Sequence, residues 1–311
     1  MPRLLDNIRA SKKVVMPLFV QRGKEHAWSD YALRVMPLLE NGALPVLLID
    51  NVADYYYQQT DQEYWALDKD FPNIAPPFDQ FWVEYKLPRM IHSKDKGDTD
   101  LSDIGMGSHA CAGFLLTAIP PEQIVAQDVP PETKWVLWIE TWIDYGTGNI
   151  NGPHGACFLP ISAEGRALAC ISMRSYAPLE FEELMKSIMA WFNPVFLAIS
   201  FLHCKNVTLV DNQVDRPLAK KWAARHGGLQ PTSYKTLVIE PLKQILRREG
   251  GSHVHGLAKA LHICRGYFRE YKEGRGGGLF GKGIYGQFWS PARVRGSKGD
   301  KALPREIEVK L

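Results

Sequence analysis

Apolar residues along the chain fall into short runs bounded by turn residues, and most of these runs have the spacing of strands. Tyr31, Val35, Leu38 and Leu39 recur at helical spacing before Asn41-Gly42. Pro45-Val46-Leu47-Leu48-Ile49-Asp50 is a continuous apolar run with a turn-like exit, and it predicts a buried strand. Residues 52–67 carry four tyrosines and a tryptophan and predict a partly buried helix; the adjoining Tyr55, Tyr56 and Tyr57 must point in different directions on it. A proline-rich turn over residues 71–78 feeds Gln80-Phe81-Trp82-Val83-Glu84-Tyr85, an alternating strand. The charged residues 93–103 predict an exposed loop. Four further β-type runs follow, at 112–119, 135–145, 156–162 and 167–173. Residues 149–155 are turn-rich, and Ser162-Ala163-Glu164-Gly165-Arg166 predicts a hairpin turn. Strands that succeed one another without helices predict an antiparallel meander.

Residues 178–204 carry the strongest helical pattern. Pro178 suits an early helical position, and Glu180, Glu182 and Glu183 suit the positive end of the helix dipole. Asn193-Pro194 should kink or divide this helix. Its apolar part, residues 188–202, contains that same Asn-Pro pair and follows Glu182, Glu183 and Lys186, so it predicts a buried core helix and not a membrane span. Residues 205–210 predict a strand, 218–225 a short basic helix ending at Gly227-Gly228, and 234–240 another strand. Two aromatic and basic segments, 260–271 and 284–296, then flank the glycine-rich link 275–283, which predicts a long-looped hairpin. The resulting fold class is α+β: an antiparallel sheet with a long helix, plus a small basic β-rich C-terminal domain.

Charge sharpens this division. Residues 216–311 hold 20 Lys+Arg against 7 Asp+Glu, a net +13, whereas residues 1–215 hold 17 against 27, a net −10. The expected domains are therefore an acidic one at 1–215 and a basic one at 216–311, the second suited to a polyanion. With 45% apolar and 11% aromatic residues, the chain has ample material for a core. Five cysteines, none in a CxxC pair, argue for buried thiols in a reducing compartment and against a disulfide framework. The N-terminus lacks an apolar core of signal-peptide length. The expected location is the cytoplasm, with no membrane association.

The densest chemistry lies in residues 262–271. On a single strand, Ile263, Arg265, Tyr267, Arg269 and Tyr271 share one face, and His262, Cys264, Gly266, Phe268 and Glu270 share the other. The first face alternates cations and aromatics, a surface on which bases stack while guanidinium groups hold phosphates. Trp289, Arg293 and Arg295 on the return segment extend the candidate nucleic-acid-binding set. A metal-independent ribonuclease would need an acid or base, a cation for the phosphorane and a group to hold the leaving oxygen. His262, Arg265 and Tyr267 are the catalytic candidates for those roles, although strict alternation separates His262 from Arg265. His253, His255, His262 and Cys264 have the atoms for zinc but no knuckle spacing, so no metal is expected. Lys282 is followed by glycine and a strand, which excludes a phosphate-loop NTPase site. No cofactor is expected.

The order of basic helix (Lys220-Lys221 to Gly228), tyrosine-centred strand, His262-x-x-Arg265-Gly266 and Trp289-Ser290-Pro291-Ala292-Arg293-Val294-Arg295-Gly296 resembles a group of bacteriophage and prophage proteins with no assigned activity. The turn Ala75-Pro76-Pro77-Phe78 is also similar to one in that group. The resemblance covers roughly the last hundred residues and implies a phage origin and a cytoplasmic setting in a bacterial host. Members often have a histidine after the glycine, where this chain has Tyr267. The expected function is a phage or prophage accessory protein whose basic-aromatic C-terminal sheet binds RNA or single-stranded DNA. The alternatives are a small β-sheet ribonuclease and a non-enzymatic module that contacts a host protein.

Overall fold

The computed structural model of the chain describes residues 3–10, 39, 44–58, 70–91, 99–124, 129–146, 150–152, 155–168, 172–175, 181–239, 262–264, 267–290 and 293–295. At 99, 104, 151, 155–156, 172–175, 181–190, 262–264 and 293–295 the description is of backbone alone. The helices are α1 (Leu4–Ala10), α2 (Asp50–Tyr57), α3 (Phe181–Leu202) and α4 (Arg216–Arg225). The strands are β1 (Val46–Leu48), β2 (Gln80–Lys86), β3 (Met90–Ile91), β4 (Thr99–Asp100), β5 (Cys111–Ile119), β6 (Thr133–Asp144), β7 (Ile150–Asn151), β8 (Gly155–Ser162), β9 (Ser172–Ser175), β10 (Val207–Asn212), β11 (Tyr234–Ile239), β12 (His262–Cys264), β13 (Tyr267–Tyr271), β14 (Gly286–Ser290) and β15 (Arg293–Arg295). Contacts divide the chain into one unit of Met1–Ile199 with Asp211–Thr236, and another of Ser200–Val210 with Leu237–Leu311.

The first unit is α+β, built on a sheet ordered β10-β11-β1-β2-β5-β6-β8-β9, with β7 paired to β6. The run from β2 through β5, β6 and β8 to β9 is antiparallel, as the helix-free spacing predicts. The sheet as a whole is mixed, which corrects the expectation of a purely antiparallel one: β1 is parallel to both β2 and β11. The reason lies in α2, which leaves β1 and supplies the crossover that a parallel return requires. All three residues of β1 are buried, as befits a strand covered on both faces. The turn at 162–166 forms as expected, closed by Ser162 N–H donating to the Arg166 carbonyl at 2.9 Å.

Alternation sorts the strand residues onto two apolar faces. On one, Tyr85 stacks on Phe114, Phe114 meets Phe192, and Phe196 meets Phe71, so α3 lies against β2 and β5. Tyr85 donates to the Trp191 carbonyl at 2.7 Å, and the Asn193 amide donates to the Tyr56 hydroxyl at 2.8 Å. These bonds tie α2, α3 and β2 together. Helix α3 continues across Pro194. On the other face Leu4, Leu5 and Ile8 of α1 pack with Trp82, Leu115 and Trp142. Gly113 is required there, because a Cβ would overlap the Trp82 ring and lie 2.9 Å from Leu4. Among the described residues no helix is long and apolar enough to cross a membrane.

Candidate nucleic-acid interface

The segment 262–271 is two strands. His262, Ile263 and Cys264 of β12 pair with Arg295, Val294 and Arg293 of β15. Residues 267–271 of β13 pair with 290–286 of β14. Both antiparallel ladders are in step, since each chain advances three residues between Cys264↔Arg293 and Tyr267↔Ser290. Arg265 and Gly266 lie outside the described residues, as do His253 and His255. His262, Arg293 and Arg295 are placed by backbone register.

Directly opposite residues of an antiparallel pair share a face. Phe268 therefore sits with Trp289, their rings 4.7 Å apart, and both close on Phe201 at 5.4 and 4.8 Å. Trp289 is only 4% exposed. Its backbone is clamped by the buried Asn206 side chain, whose Oδ1 accepts from Trp289 N–H at 2.9 Å while Nδ2 donates to Trp289 O at 3.0 Å. The ring of Trp289 is consumed by packing, which removes it from the surface set that alternation on a single strand suggests. Beside it, burial pushes the Cys204 thiol up to about 12, against a hydrogen bond from Gln287, so it is protonated at neutral pH.

The opposite face carries Tyr267, Arg269 and Tyr271 from β13 with Phe288 and Ser290 from β14. Tyr267 is 36% exposed, Arg269 is exposed and Tyr271 is half-buried. The Arg269 guanidinium lies 4.6 Å from the centroid of the Tyr271 ring, a cation–π pair. Of the candidate set, these three are brought together on an open surface.

The glycine-rich link folds back over part of this face. Leu279 N–H donates to Ile284 O, Gly281 N–H to Gly278 O, Lys282 N–H to Leu279 O and Gly283 N–H to Gly277 O. Leu279 is thereby buried against Phe288, flanked by Tyr271 and Ile284. Gly278 has φ 73° and ψ −164°, a conformation essentially closed to other residues, and a Cβ there would lie 2.7 Å from the Ile284 nitrogen. The adjoining Phe280 has φ 52° and ψ 26°, a left-handed conformation uncommon for a bulky side chain, and its ring is 37% exposed. Link and hairpin enclose a pocket of about 220 Å³ lined by Arg269, Tyr271, Leu279, Phe280, Phe288 and Ser290. Ser290 is 3% exposed, and its Oγ has no hydrogen-bond partner among the described residues.

Phe280, Ser290 and Asn206 escape the sequence reading. Ser290 is visible in sequence only as the register partner of Tyr267, and that register needs the loop length resolved. Among the described residues no three His, Cys, Asp or Glu side chains group as metal ligands. No family model, no curated protein and no solved structure matches the chain.

Proposed function

We propose that the basic, β-rich C-terminal part of the chain binds single-stranded nucleic acid, RNA or DNA, through the open face of the β13–β14 hairpin. In this reading it serves a phage or prophage as an accessory protein. The observation that carries the proposal is the triad Tyr267, Arg269 and Tyr271 on one accessible face, with the guanidinium held over the Tyr271 ring. Tyrosine faces accept any base by stacking, and arginine serves both phosphate and base. Arg275 and Lys282 add exposed cations on the link, and Lys272 a third that is 3.4 Å from Glu270. The link and hairpin residues 267–290 hold four basic and two acidic side chains.

The test is fluorescence anisotropy of labelled oligonucleotides about 12 nucleotides long, the span of one small sheet domain. Arg269, Arg275 and Lys282, three cations without a carboxylate partner among the described residues, predict a slope of log affinity against log salt of about −2, at roughly 0.7 per phosphate contact. Tyr267→Ala should weaken binding by roughly 5- to 100-fold, the worth of one stacked base. Arg269→Ala should weaken it and flatten the salt slope. Unchanged affinity in the Tyr267→Ala/Arg269→Ala double variant overturns the proposal.

A further inference from the structure

We infer that the pocket between the hairpin and the glycine-rich link receives one unstacked purine base, with guanine preferred, from a strand lying on the Tyr267 face. This rests on the hairpin being a nucleic-acid interface and names what that interface reads. Four features converge. First, the pocket is built: the left-handed glycine at 278 and the strained Phe280 hold the link over the sheet. Strain of this kind persists where surrounding structure enforces it, and it concentrates at ligand sites. Second, the volume of about 220 Å³ is below the roughly 300 Å³ at which drug-sized sites begin, so it suits a single ring system and not a whole nucleotide.

Third, the walls are those of a base site. Tyr271, Phe280, Phe288 and Leu279 offer apolar and aromatic surface for a flat ring. A phosphate would need a cradle of N–H groups, but the link N–H groups of residues 279, 281, 282 and 283 are committed to carbonyls within the link. Among the described residues no carboxylate lines the pocket, so it offers a hard metal ion no anionic ligand.

Fourth, the polar groups are unspent. The Ser290 Oγ is buried and has no partner among the described residues, a state that costs free energy until something fills it. Arg269 makes no hydrogen bond among the described residues, and its guanidinium, over the Tyr271 ring, keeps its N–H donors for a ligand. A donor fork and a hydroxyl that can donate or accept, both lining one pocket, match the O6 and N7 acceptors of guanine. Adenine offers N7 alone as an acceptor on that edge, and uracil and cytosine are shorter.

The experiment compares a ten-residue uridine oligonucleotide with the same oligonucleotide carrying one central guanosine, measured on the full chain by anisotropy. One guanosine should tighten binding by about tenfold, the scale of a single bidentate arginine–guanine contact. Ser290→Val fills the floor of the pocket and removes the hydroxyl; it should abolish the guanosine preference while leaving binding of the all-uridine strand within about twofold, a margin smaller than the loss of one contact. Phe280→Gly tests the same point without a folding penalty, because glycine is at ease at φ 52°. It too should erase the preference. A guanosine preference that is absent in the wild type, or that survives both substitutions, overturns the pocket assignment and leaves the surface reading standing. Failure of both oligonucleotides to bind overturns both.

Discussion

Glu84 offers the most direct check on how the first unit is assembled. Its Oε2 accepts the Trp82 indole N–H at 2.8 Å and the Leu5 backbone N–H at 3.1 Å, so it joins β2 to the start of α1. Complete burial pushes its carboxyl from the ordinary 4.5 up to about 7; the two hydrogen bonds and the nearby Arg3 pull it down, and Asp6 adds to the rise. Between pH 4.5 and 7 the native state therefore holds a proton that the unfolded chain has released. Stability from this group is fully present below 4.5, falls as pH rises, and is gone above 7. At roughly 1.4 kcal/mol per pH unit the rise to about 7 amounts to about 3 kcal/mol. Glu84→Gln keeps an acceptor for Trp82 and Leu5 but cannot ionise. Urea unfolding followed by tryptophan fluorescence at pH 5, 6, 7 and 8 should show the two proteins diverging as pH rises, with the glutamine variant more stable at pH 8. A constant difference across that range, or a less stable glutamine variant at pH 8, would mean that Glu84 is ionised in the fold and paired with Arg3, and the burial reasoning would fail.

Two other substitutions probe single contacts. Gly113→Ala should destabilise the first unit by about 1–3 kcal/mol or more, since the new methyl overlaps the Trp82 ring against Leu4; thermal unfolding reads this, and an unchanged midpoint would contradict the packing of α1. Asn206→Ala strands the buried N–H and C=O of Trp289 and should cost about 2–6 kcal/mol, at 1–3 per orphaned group; hydrogen exchange at β14 amides should accelerate while β5 and β6 amides keep their protection.

The antiparallel run and the hairpin at 262–295 were legible because both rest on period-two alternation and turn residues. The parallel placement of β1 was not, because a three-residue apolar run carries no direction: only its pairing with β2 and β11 reveals it. Tyr267, Arg269 and Tyr271 were correctly grouped on one face, since their spacing alone fixes that. Trp289 was misplaced for a specific reason. A residue on the return strand joins one face or the other according to register, and the register depends on a fourteen-residue link, Lys272 to Tyr285, whose length and path no local rule sets. Phe280 is invisible for a related reason: its strain arises from the glycines around it and from Leu279 being drawn into the core.

This partition of the hairpin makes two aromatic residues of similar composition behave in opposite ways. Trp289 and Tyr267 sit one residue out of register across the same ladder, so they face opposite sides. Trp289 is wedged between Phe201 and Phe268 and is nearly inaccessible, while Tyr267 is exposed. Trp289→Ala should therefore cost about 3–5 kcal/mol of stability, and any loss of nucleic-acid binding should track the fraction unfolded. Tyr267→Ala should cost about 1 kcal/mol or less, far below the cost at Trp289, yet weaken binding. The two effects are separable by measuring affinity well below the unfolding midpoint. Should Trp289→Ala fold normally and lose affinity, while Tyr267→Ala loses neither, the binding surface would be the other face of the hairpin, and Phe201 could not be packed against it.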